Sequence, residues 1–89
     1  MEVARVHTVD LYESSKRLAE HLGYAVREEN LGGVGGGVCT VQGRKCLFVD
    51  VSAHVVDRLD QVAEVLRDDP ATYVAQVPGE LRPLLGIRV

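Results

Sequence analysis

The chain lacks any run approaching the ~20 apolar residues of a membrane-spanning helix, so no helical span is expected. It also lacks a basic excess. Ten Lys and Arg are scattered among thirteen Asp and Glu, for a net charge of −3. A duplex-binding protein normally gathers a basic face that displaces counterions from phosphates. Here the densest basic runs, Lys16-Arg17 and Arg44-Lys45, are two residues long, so nucleic acid is not the expected partner. Two cysteines, Cys39 and Cys46, are too few for a secreted disulfide framework. The start, Met1-Glu2-Val3-Ala4-Arg5, lacks the charged, apolar and small-residue zones of a secretory signal, which points to the cytoplasm. Catalytic signatures are missing too. The segment His54-Val55-Val56-Asp57-Arg58 has no glutamate or second histidine to make H-E-x-x-H, and no Gly-Lys-Ser/Thr follows the glycines. No catalytic residue is assigned and no cofactor is implied; spacing alone does not preclude a spatial triad, and the reading leans away from an enzyme.

What is present is an ordinary globular composition, 46% hydrophobic and 26% charged. Eighty-nine residues give room for one domain, 1–89, with one small core. Domains of this size bury proportionally little surface and often gain stability by oligomerising.

Asp10-Leu11-Tyr12-Glu13 fits an N-cap with an acidic residue three places on, and predicts a helix over 11–22. Its apolar stripe is Leu11, Ser15, Leu18, Ala19 and Leu22, and Gly23 stands where such a helix stops. The residues before Asp10 read as a short edge strand or a loose lead-in. Residues 24–29 predict a strand, and residues 38–41 and 44–51 predict two more. Gln42-Gly43 as a two-residue turn sets Val41 opposite Arg44 and Cys39 opposite Cys46. In that register Cys39, Val41, Cys46 and Phe48 share one face, and Val38, Thr40, Leu47, Val49 and Val51 share the other. A three-residue turn would flip one strand's faces. Both faces are apolar, so helices should cover one side and the C-terminal segment or a partner subunit the other. Ser52 predicts an N-cap for a second helix over 53–67, with Val55, Val56, Leu59, Val62, Ala63 and Leu66 as its stripe. Asp68-Asp69-Pro70 ends it. Pro78 opens a helical turn, and Leu81, Leu84, Leu85 and Ile87 are apolar enough to dock on the sheet. The expected fold is α+β: helix, three-stranded antiparallel sheet, helix, irregular C-terminal segment.

Five of nine glycines fall between Gly32 and Gly37. Gly33 and Gly35 fit the first two places of a dinucleotide fingerprint, but Val38 takes the third and a strand follows in place of a helix. The run therefore reads as a bent connection, with Gly33, Gly35, Gly36 and Gly37 as candidate backbone contacts to a ligand. Cys39 and Cys46 read as small buried hydrophobes. Cys39 with His54 and Asp50 is the candidate metal or thiol set. Asp50, ending an apolar strand, can cap the second helix or face Arg27.

The segment Gly32-Gly33-Val34-Gly35-Gly36-Gly37-Val38-Cys39-Thr40-Val41-Gln42-Gly43-Arg44-Lys45, followed by Leu47-Phe48-Val49-Asp50 and a helix with Leu59-x-x-Val62-x-x-Val65-Leu66, resembles a family of small uncharacterised bacterial proteins. Their pattern is a helix, a Gly-Gly-rich segment with one cysteine, a V-x-G-[RK] turn, an apolar strand ending in Asp, and a helix. Gly33, Gly36, Gly37, Cys39, Gly43 and Asp50 are the matching positions; Cys46 lies outside the pattern. The resemblance implies a bacterial source and is uninformative about chemistry. The leading expectation is a non-enzymatic interaction module, a homodimer. The alternatives are a metal- or thiol-dependent protein and a small-ligand binder using the 32–37 backbone.

Overall fold

The computed structural model describes residues 2–87. Helix α1 (Glu2–His21) leads into strand β1 (Ala25–Glu29). Strands β2 (Gly37–Val41) and β3 (Arg44–Asp50) form a hairpin, and helix α2 (Val55–Asp68) follows. Two 3-10 turns, Pro70–Val74 and Gly79–Leu81, complete the chain.

α1 starts eight residues before the expected Asp10 cap, so the stretch read as edge strand or lead-in is helical. Asp10 sits on the exposed side within the helix, where it costs only a few tenths of a kcal/mol relative to better helix formers. The helix ends where expected. Gly23, at φ +101°, donates its N–H to Glu20, and the Tyr24 N–H reaches back to Ala19. This paired closure gives the last carbonyls their partners.

The sheet is mixed, which corrects the antiparallel expectation. Its order is β1-β3-β2, with β3 antiparallel to β2 and parallel to β1. Loop 30–36 is therefore a crossover that carries the chain past the C-terminal end of β3. The hairpin register is as expected: Val41 opposite Arg44 and Cys39 opposite Cys46. Gln42 and Gly43 both have positive φ (51° and 79°), the turn that matches the twist of paired strands.

Both helices pack on one face of the sheet. Leu47 and Val49 of β3 are fully buried beneath α2's Leu59, Val62, Ala63 and Leu66 and α1's Leu18 and Ala19. The C-terminal segment lies against the helices, Gly79–Leu81 on α1 and Pro70–Val74 on α2, with Leu81 and Leu85 in the core. The expected docking of this segment on the sheet is thus corrected. With a thinnest Cα extent of 16 Å, the domain has room for two layers; on the second sheet face the glycine loop closes over Asp50, and Cys46 is also buried on that face. α2 begins at Val55, with His54 in the cap position and no side-chain cap bond. Ser52, the expected cap, is used elsewhere.

Two tyrosines unmarked by any sequence periodicity tie the layers together. Tyr12 is buried on α1 and donates to Glu28 of β1 (2.6 Å), while Lys16 pairs with Glu28 (3.1 Å) and lies over the Tyr12 ring (4.7 Å). Tyr24 repeats the arrangement. It donates to Asp69 (2.6 Å), which pairs with Lys45 (3.4 Å), and Lys45 lies over the Tyr24 ring (4.3 Å). Burial and then the bond to Asp69 push the Tyr24 phenol up to about 12. Tyr12 is raised too, by burial first and Glu28 second. These phenols stay protonated, so neither is poised as a general base.

Candidate functional site

Asp50 is the last residue of β3 and is fully buried. Its carboxylate faces the glycine loop. Oδ1 accepts from the N–H of Leu31 (3.1 Å), the N–H of Ser52 (3.0 Å) and the Ser52 hydroxyl (2.6 Å). Oδ2 accepts from the N–H groups of Gly33 (2.9 Å) and Gly35 (3.4 Å). The Asp50 N–H itself donates to Gln61 Oε1 on α2 (3.0 Å), which locks the strand end to the helix. Alternate amides of the loop converge on one carboxylate because Gly33 and Gly35 adopt φ of +89° and +81°. Residues with side chains rarely take that conformation, and successive amides turned this way form an anion-binding concavity. The Ser52 hydroxyl, followed by the backbone donors, outweighs burial and holds the Asp50 carboxyl well below the usual carboxylate range.

The glycine run is therefore an anion cradle whose anion belongs to the chain. Asp50 neither caps α2 nor faces Arg27; Arg27 lies opposite Phe48 and pairs with Glu29 (3.4 Å). Of the four glycines singled out as ligand contacts, Gly33 and Gly35 direct their amides at Asp50. Gly36 is fixed by space, since a Cβ there would overlap the Phe48 carbonyl oxygen. Gly37 opens β2 and has open space around it. The sequence signal for this arrangement was an Asp ending an apolar strand in a chain with a preceding glycine run. Either feature alone has many causes, and only the crossover brings them together.

The proposed metal set does not assemble. Cys39 lies opposite Cys46, four residues before Asp50 on β3, which puts Cys39 roughly 13 Å from Asp50 along the strand direction at ~3.3 Å per residue. Cys39 and His54 are exposed, whereas Asp50 is buried and both its oxygens are occupied by protein donors. Among the described residues no three His, Cys, Asp or Glu side chains gather as a metal site. Both thiols are free. Cys46 is buried mid-strand and points its S–H toward the Arg44 carbonyl oxygen (3.8 Å).

What remains is the β2 side of the sheet. Every residue of β2 is exposed. On the face away from the helices, Cys39 and Val41 adjoin buried Cys46 and half-buried Phe48, and exposed Arg27 and Arg44 share that face. On the helix face, Val38 (45% exposed) borders a groove with Tyr24, Lys45, Val65 and Pro70. Among the described residues no helix is long and apolar enough to cross a membrane. Comparison with protein-family models, with curated proteins and with solved structures found no match.

Proposed function

We propose that the chain is a non-enzymatic, cytoplasmic interaction module that works as a homodimer through the β2 side of its sheet. The observation that carries this is β2 itself, an edge strand exposed at all five positions and without a charged residue. An uncovered strand edge is a template for another strand. The exposed side chains of Val38 and Val41 add apolar surface whose burial favours association. Anion chemistry at the loop is less favoured because its amides already hold Asp50. Light scattering on the purified chain at low micromolar concentration is expected to give twice the chain mass. A compact monomer persisting to high micromolar concentration overturns the reading.

A further inference from the structure

An exposed cysteine departs from the small buried hydrophobe expected at position 39, and directly across the hairpin stands buried Cys46. Strand parity fixes how the two face each other. The Gln42-Gly43 turn makes Val41 and Arg44 a hydrogen-bonded closing pair, and bonded pairs alternate from there. On the other side, the Val51 N–H donates to the Glu29 carbonyl oxygen (2.9 Å), so the odd-numbered residues of this strand turn toward β1 and the even-numbered ones toward β2. Cys39 and Cys46 are therefore a hydrogen-bonded pair, with both side chains on the face away from the helices. In such a pair the Cα atoms lie about 5.5 Å apart, inside the range of roughly 4.4–6.8 Å that disulfides span. Side chains of a bonded pair stand farther apart than those of a non-bonded one, so a bridge here must draw the two Cβ atoms together. That strain makes the resulting disulfide easier to reduce.

We propose that Cys39 and Cys46 form a reversible dithiol–disulfide site that exchanges with low-molecular-weight disulfides of the glutathione class. Cys39 is the reachable thiol and Cys46 the resolving one. In the first step the Cys39 thiolate attacks one sulfur of the small disulfide. A mixed disulfide forms at Cys39 and one small thiolate leaves. In the second step the Cys46 thiol gives up its proton and attacks the Cys39 sulfur, and the other small thiolate leaves. Two protein thiols are oxidised, one small disulfide is reduced to two thiols, and the two protons pass to the released thiolates. Little holds Cys46 back, because its S–H bond to the Arg44 carbonyl oxygen is long (3.8 Å) and a thiol is a weak donor. The bridge closes a loop that the hairpin already closes, so it adds little chain-entropy stabilisation. A strained bridge with little gain from loop closure is the labile kind, which senses oxidation in a reducing compartment. The site does not depend on β2 pairing with a second copy.

The test equilibrates the purified chain in buffers of oxidised and reduced glutathione, traps free thiols with an alkylating reagent and reads the intact mass. The wild type is expected to yield a single chain lighter by two hydrogen atoms that takes up no alkyl group. Excess reduced glutathione is expected to return it to the dithiol. Cys46→Ala removes the resolving thiol, so the mixed disulfide of Cys39 with glutathione is expected at least about tenfold above its wild-type level in the same buffer. Cys39→Ala removes the reachable thiol, and buried Cys46 is expected to stay free in the folded chain. The wild type decides the proposal even where a variant fails to fold. Two thiols that stay free, a mixed disulfide that accumulates unresolved, a bridge between two chains, or an internal bridge that excess reduced glutathione cannot open overturns it.

Discussion

Replacing Asp50 with alanine is expected to lower the melting temperature by more than about 10 °C at neutral pH, because several donors lose their acceptor at once. The amides of Leu31, Gly33, Gly35 and Ser52 and the Ser52 hydroxyl all converge on this carboxylate. Without it the crossover has no reason to keep Gly33 and Gly35 at positive φ, and the loop opens. Asparagine is expected to do nearly as badly, since its NH2 would face other N–H donors. The pH dependence has a definite sign. The native carboxyl titrates below its unfolded counterpart, so its contribution is present above the unfolded value, near pH 4. It is lost as pH falls through the native value. The gap in melting temperature between wild type and Asp50→Ala should therefore hold steady from pH 8 to about 5 and narrow below about 4. Thermal unfolding by circular dichroism across this range measures it.

Two neighbouring glycines should respond in opposite ways. Gly36→Ala drives a Cβ into the Phe48 backbone, with Gln61 Oε1 also within contact distance. Phe48 is held from both sides by β1 and β2 and cannot retreat. The expected cost is about 3 kcal/mol, at the upper end for overpacking. Gly37→Ala, one residue on, meets nothing within 4 Å, and Gly37 is not among the positive-φ glycines. Its effect should stay within about 1 kcal/mol of wild type. Urea titration of the two variants separates a crossover that lies tightly over β3 from one that is merely flexible. Equal tolerance of both substitutions contradicts the close approach.

The elements legible in the sequence were those set by local chemistry. Gln42-Gly43 defined the hairpin turn, and with it the pairing of Cys39 with Cys46. Gly23 marked the end of α1, and of the expected α2 stripe Leu59, Val62, Ala63 and Leu66 are buried while Val55 is half-buried and Val56 exposed. Tertiary partners decided the rest. Asp10 matched a capping pattern that also occurs inside helices. Ser52 matched another, but its hydroxyl donates to Asp50 and the helix starts three residues later. The parallel pairing of β1 with β3 depends on a loop held by a side chain 15 to 19 residues away, which no local pattern encodes. For the same reason Tyr12, absent from the expected apolar stripe, proved to be a core residue anchored to Glu28. As for the site, Asp50 and the glycines were legible as a pair of oddities, while their union was not. The candidate metal set failed because strand spacing keeps Cys39 far from Asp50.

The proposed interaction surface thus lies not on the glycine loop but on the strand that follows it. Residue-resolved amide hydrogen exchange at high micromolar concentration bears on both halves of that statement at once. The expected result is protection of Leu31 and Gly33 by Asp50, together with protection by a second copy of Val38 and Thr40, whose N–H groups point away from β3 in this register. Val38 and Thr40 exchanging near the free rate, while Cys39 and Val41 between and beside them stay protected by β3, would mean a bare edge and contradict a dimer formed through β2.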